Sequence, residues 1–264
     1  MTVWVSCLKP LRGRGLKTIA RVVAILACLG LLVAAPAITA TEGEAGKRLW
    51  EKHMELSYVN TMGNTDTIAL SAKADASREG ESNRYFIKGN VLYGEDNDVE
   101  TQNKWSVDGR WERTFTERFF WFLSANYMED KFSGYDYRTS GGPGLGYDLI
   151  TTDEHRLKSL LSSLYHFDRY DGTGHTDSYV SPKAQMDYKW QISENLRFKQ
   201  ILEYLVSTEQ SKKYFIDSES SLSVAVNRHI SLGVSYTLSY QNLTPVDVEK
   251  HTDATFLTSL IIDF

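Results

Sequence analysis

Cysteine is nearly absent from this 264-residue chain, and the two present, Cys7 and Cys28, both fall within the first forty positions. The rest of the chain therefore cannot build a disulfide scaffold, a thiolate zinc site or a cysteine nucleophile. Acidic residues are missing from the same forty positions, which carry five cations: Lys9, Arg12, Arg14, Lys17 and Arg21. Setting those aside leaves 24 of the 29 Lys+Arg against all 34 Asp+Glu, so the formal charge moves from −5 to −10. That balance lacks the basic footprint a nucleic-acid partner requires. Long apolar runs are missing too: after residue 40 none approaches the ~18 residues of a membrane helix. What is abundant is tyrosine and tryptophan, 15 and 6.

The opening segment has the layout of a secretory signal peptide. A basic stretch, 9–21, precedes an apolar stretch, 22–33, and then the small residues of 34–40. Processing is expected after Ala40 or Ala37, which divides the chain into a leader, 1–40, and a body, 41–264. Two alternatives stay open. The uncharged run 22–41 is long enough for a retained anchor, and Ile25-Leu26-Ala27-Cys28 resembles a lipoprotein cleavage box in which Leu26 fits poorly. An exported, cysteine-free body suits an oxidising compartment.

From Trp50 onward the chain alternates with a period of two, the mark of strands whose faces meet different surroundings. In 229–241, Ile230, Leu232, Val234, Tyr236, Leu238 and Tyr240 point one way, and Ser231, Gly233, Ser235, Thr237, Ser239 and Gln241 the other. Segments 104–111 and 179–190 follow the same rule. Twelve strands are expected, near 50–60, 66–77, 83–94, 102–113, 118–129, 136–149, 155–168, 177–191, 195–206, 213–226, 229–241 and 252–264. Most match the ~9–11 residues, plus overhang, of tilted bilayer strands. Three places fit poorly: 119–122 is apolar on both faces, Gln200 interrupts an apolar face, and 155–164 has a mixed polar side.

Connections alternate between short turns (78–82, 114–117, 151–154, 193–194, 227–228) and generally longer loops (61–65, 95–101, 130–135, 169–176, 207–212, 242–251). Short turns on one side and longer loops on the other are the pattern of an all-β, transmembrane, antiparallel up-and-down barrel of the outer membrane. A soluble sandwich or barrel would turn its apolar face inward and expose the charged one. Here the polar face carries too many charges to seal, and the apolar face is rich in Tyr, Trp and Phe near the strand ends. Val234 is then expected toward lipid and Ser235 toward a hydrated lumen. The last segment ends in an amphipathic strand with Phe256, Leu260, Ile262 and Phe264 on one face, expected to act as the assembly signal.

Several short motifs in order, Gly63-Asn64-Thr65-Asp66-Thr67, Ala74-Asp75-Ala76-Ser77-Arg78-Glu79, Asn83-Arg84-Tyr85, Asp136-Tyr137-Arg138-Thr139-Ser140 and Gly144-Leu145-Gly146-Tyr147, together with the terminal strand, resemble the YdiY-type family of salt-induced outer-membrane proteins. The resemblance covers nearly all of 50–264. It implies a β-barrel in the outer membrane of a Gram-negative bacterium, and it brings no catalytic residues.

With the apolar face toward lipid, the lumen is expected to contain the cations Lys73, Lys88, Lys104, Arg110, Arg138, Arg156, Lys158, Lys183, Lys189, Arg197 and Lys199. Facing them are the anions Glu51, Glu55, Asp75, Asp108, Glu112, Asp187, Glu203, Asp217 and Glu219. Such charges either pair across the lumen or line an aqueous path. Three acidic loops are expected outside: Glu95, Asp96, Asp98 and Glu100; Glu129, Asp130 and Asp136; Asp168, Asp171 and Asp177. They form a solvated rim rather than a calcium loop, because no spaced ligand motif is present. Outer-face serines (Ser159, Ser163, Ser218, Ser220) share that face with no histidine, and a loop-borne Asp168/Asp171/His175/Asp177 group reads as a polar loop. No enzyme, cofactor or metal is expected. The expected partners are outer-membrane lipid and lipopolysaccharide, with the barrel-assembly machinery during biogenesis. A small-solute channel and a salt- or osmotic-stress envelope protein with a closed lumen remain as the two function classes.

Overall fold

The computed structural model describes residues 50–61, 67–97, 99–172, 174–209, 213–243 and 251–263. The expected leader, 1–40, lies outside them, as does Phe264. Twelve strands follow in order: β1 (Glu51–Thr61), β2 (Thr67–Glu79), β3 (Asn83–Asp96), β4 (Val99–Thr114), β5 (Phe119–Asp130), β6 (Tyr135–Thr151), β7 (His155–Tyr170), β8 (Thr176–Gln191), β9 (Leu196–Val206), β10 (Tyr214–Ala225), β11 (Ile230–Gln241) and β12 (Thr252–Asp263). Each pairs antiparallel with its sequence neighbours, and β12 returns to β1 to close the barrel. Closure leaves no open sheet edge, which hydrocarbon would not tolerate.

One expected connection is corrected. The acidic loop expected at 95–101 is a tight turn instead, since β3 runs to Asp96 and β4 begins at Val99. Asn97 turns the chain with φ at +49°, a left-handed conformation that Asn tolerates better than most residues. Glu95 and Glu100 therefore stand opposite each other on paired strand ends.

The outer wall is what a bilayer selects. Ile87, Leu123, Leu145, Leu161, Leu202 and Leu232 are exposed and form an aliphatic band. Aromatic pairs flank it at both levels. Trp111 with Trp121 (4.9 Å) and His155 with Trp190 (5.7 Å) lie toward the short turns; Trp105 with Tyr127 (5.1 Å) and Tyr204 with Tyr214 (6.0 Å) lie toward the loops. Two aromatic girdles around an apolar band are the signature of a membrane barrel.

Two of the sequence misfits have structural reasons. Gln200 does sit on the outer wall, where its amide donates to Ser218 Oγ (3.0 Å) and accepts from Ser220 Oγ. Phe120 and Phe122 turn inward and are buried, while Trp121 and Leu123 turn out. Their rings fill the space over Gly146 and Gly144 of β6. A Cβ at Gly146 would lie 2.0 Å from Phe120 Cζ, and one at Gly144 2.2 Å from Phe122 Cζ. Gly144 and Gly146 leave the space that those rings occupy.

Candidate functional site in the barrel interior

Alternation places charged side chains on the inner face of most strands, and closure brings together residues far apart in the chain. Lys73 Nζ on β2 donates to Glu219 Oε1 on β10 at 3.1 Å, across 146 positions. Three strands separate β2 from β10 in the wall, so this contact crosses the interior.

Toward the short turns the interior is organised around Glu112, which is fully buried at 0 % exposure. Arg84 Nε lies 2.8 Å from one carboxylate oxygen and Arg110 Nε 3.0 Å from the other, with Lys158 Nζ at 3.8 Å. Neither arginine N–H points along its contact, so both carboxylate oxygens are left without an aligned hydrogen bond among the described residues. Asp148 adds a second anion, 3.9 Å from Arg84 and 4.0 Å from Lys158. Phenyl rings hold the cations from beneath: Arg84 stands 4.6 Å and Lys158 5.0 Å from the Phe120 centroid, and Arg110 4.9 Å from that of Phe86. A cation over an aromatic face is attracted by the ring quadrupole, more strongly once desolvated.

Toward the loops a second group surrounds Asp168, also at 0 % exposure. Tyr179 donates its hydroxyl hydrogen to Asp168 Oδ2 at 2.7 Å, and the Arg138 fork donates to both oxygens at 3.2 and 3.3 Å. Lys213 closes the group from the segment before β10: its Nζ is 3.6 Å from Asp168, 3.0 Å from Asp177 and 3.8 Å from the Tyr179 ring centroid. His166 stacks on Tyr179 with centroids 4.9 Å apart, and Arg138 lies over Tyr135 and Phe215. Asp168 was expected in an external acidic loop. It lies inside instead, because β7 continues through it to Tyr170 and it shares inward parity with Leu164 and His166.

Between the two groups lies a cavity of about 880 Å³. Of the expected lumen residues, Lys88, Asp108, Arg110, Arg138, Lys183 and Asp187 line it, as do Lys189, Lys199 and Asp217. Lys183 pairs with Glu203 at 2.7 Å, Asp108 accepts from Asn126 at 2.8 Å, and Asp187 accepts from Gln185 at 2.7 Å. Lys104 belongs elsewhere: it reaches Asp130 at 3.7 Å and is not part of the cavity wall. Ser235 faces inward as expected but is only 4 % exposed, so that stretch of wall is packed rather than hydrated. Glu129 leaves the acidic rim and accepts from Trp105 Nε1 (3.0 Å) and the Tyr127 hydroxyl (2.6 Å) in the girdle. Phe256 and Leu260 are exposed on the outer wall.

Sequence reasoning missed Arg84, Asp148 and Lys213, along with the inward rings of Phe86, Phe120 and Phe122. Strand parity carries a signal for Arg84 and Asp148. The same parity extends to Lys213, one residue before β10, which alternates in step with the inward Phe215, Asp217 and Glu219.

A closed antiparallel barrel with an even strand number, a girdled apolar outer band and a charged interior defines an outer-membrane β-barrel. Within that class, the chain belongs to the family described as "Protein of unknown function, DUF481", whose model matches residues 54–264. It is 25 % identical over 216 residues to the uncharacterized protein YdiY of Escherichia coli K12, a match covering 82 % of this chain and 84 % of the relative. Among solved structures, an outer membrane channel from Pseudomonas putida F1 superposes with a TM-score of 0.51 at 6 % identity, covering 84 % of this chain and all of that one. The NanC porin gives 0.46 at 11 % identity, covering 81 % and 98 %. The first of these likenesses supports the fold.

Proposed function

We propose that the barrel is a narrow, non-enzymatic passage for small hydrophilic solutes in the outer membrane of a Gram-negative bacterium. The cavity of about 880 Å³ between the two buried groups carries this reading. Its wall bears ionisable side chains of both signs, several without an ion-pair partner among the described residues, and such a wall is stable only when hydrated. Lipopolysaccharide and lipid surround the girdles, and the assembly machinery recognises the terminal strand with Phe256, Leu260, Ile262 and Phe264. Single-channel recording of the purified barrel in planar bilayers tests the reading. Discrete conductance steps are expected, and a barrel that inserts but stays silent at every voltage refutes it.

A second reading has its own observation. Each end of the interior buries one carboxylate completely among cations, as an envelope barrel with a closed lumen would do. On that reading, conductance emerges only when a group is broken, for example by Arg138→Ala. A salt-stress role is tested separately, by whether protein level rises with medium osmolarity.

A further inference from the structure

Two neighbouring rows of the inner wall follow opposite charge logic. The register sets Asp148 opposite Lys158 and Lys158 opposite Asp187, so one row alternates in sign across β6, β7 and β8. The next row toward the short turns sets Arg156 opposite Lys189 and Lys189 opposite Lys199, across β7, β8 and β9, and continues to Ser221 on β10. Like charges placed directly opposite one another destabilise a sheet. None of these three cations has a described carboxylate within 4.0 Å.

The surroundings add further cations, which two nearby carboxylates offset only in part. Lys88, on β3, repels Lys199, and Lys158 and Arg197 repel Lys189. The nearby carboxylates are Asp187, held by Gln185, and Glu219, bound to Lys73. Arg156, Lys189, Lys199 and Lys88 all line the cavity, and Arg156 and Lys189 are exposed. Opposed residues on neighbouring strands are ~5 Å apart at Cα, so the flexible ends of adjacent cations can converge on one tetrahedral anion.

We propose that Arg156, Lys189 and Lys199, faced by Lys88, form a binding station for a small multivalent oxyanion of the phosphate class. Such a ligand turns a row that opposes folding into one that favours the loaded state. The station rests on the reading of the lumen as hydrated, though not on its conducting.

Barrel refolded from urea into pure detergent, which removes lipid phosphate as a source, is titrated calorimetrically with inorganic phosphate and with pyrophosphate. Wild type is expected to bind both, pyrophosphate more tightly, with affinity falling as sodium chloride rises. Lys189→Gln with Lys199→Gln should weaken binding at least tenfold. The same double variant, in phosphate-free buffer, should unfold at a temperature equal to or above that of wild type, because a repulsion has been removed. Absence of binding by folded wild type overturns the proposal, as does undiminished binding by the variant. A variant that unfolds at a clearly lower temperature assigns the row a structural role and also overturns it. Phosphate binding by a barrel that never conducts removes the channel reading and leaves the station standing.

Discussion

The two buried carboxylates of the interior, Glu112 and Asp168, are equally inaccessible and held by different physics. Asp168 sits in directed hydrogen bonds, from the Tyr179 hydroxyl at 2.7 Å and from both arms of the Arg138 fork. Glu112 sits among three cations whose contacts are close but misaligned, and the Phe120 and Phe86 rings hold those cations in place. Around Asp168, two cations face two carboxylates; around Glu112, three cations face Glu112 and Asp148. One group is fixed by geometry, the other by proximity of charge. Removing charge should therefore hurt the Glu112 group more, because an amide in place of Asp168 still accepts from Tyr179 and one Arg138 arm and loses only the Arg138 Nε contact.

The largest expected effect follows from that contrast. Glu112→Gln leaves three desolvated cations with only Asp148 to offset them, a change of about 3–5 kcal/mol for a broken buried ionic group. Asp168→Asn preserves the acceptor facing Tyr179 and should cost about 1.5–3 kcal/mol, the worth of hydrogen bonds to a charged group. Urea unfolding in lipid vesicles measures both, and equal losses would erase the distinction between the two ends.

Val234→Arg places a cation on the outer wall, away from either group. It should cost about 2–4 kcal/mol if the residue lies near the bilayer midplane. Retention of that cost in the Glu112→Gln background, measured by a double-mutant cycle, would show that the wall and the interior are energetically independent.

Gly146→Val sharpens the comparison from the packing side. The added atoms collide with Phe120, so the ring that carries Arg84 and Lys158 must move, at about 1–3 kcal/mol for overpacking. The cost of Asp168→Asn in urea unfolding should be the same in the Gly146→Val background as in wild type. A different cost would mean that the groups are mechanically coupled.

Lys131→Ala should do least. Its ion pair with Glu100 joins a side chain 60 % exposed to one 26 % exposed, and solvent screening limits such pairs to about 0–1 kcal/mol. A larger loss in the same unfolding assay would place the loop end among the stability determinants.

Much of this protein is written in its local pattern. A period of two from Trp50 onward specifies strands, because successive side chains leave a strand on opposite faces whatever the fold around it. Strand number, the sign of each face and the parity of Lys73, Arg110, Glu112 and Arg138 follow from that pattern, since only lipid outside and charge inside suit these residues. The turn at Asn97 escaped because a two-residue connection looks like a loop until its strand ends are paired. Which charges meet was decided by closure alone. Lys73 reaches Glu219 across the interior, and Lys213 reaches Asp168 from beyond β9, because the barrel's circumference and stagger set those distances and no short stretch of sequence encodes either. The inward turn of Phe120 and Phe122 likewise depended on the glycines of a neighbouring strand. A residue's face is a property of its own strand, whereas its partner belongs to the closed barrel.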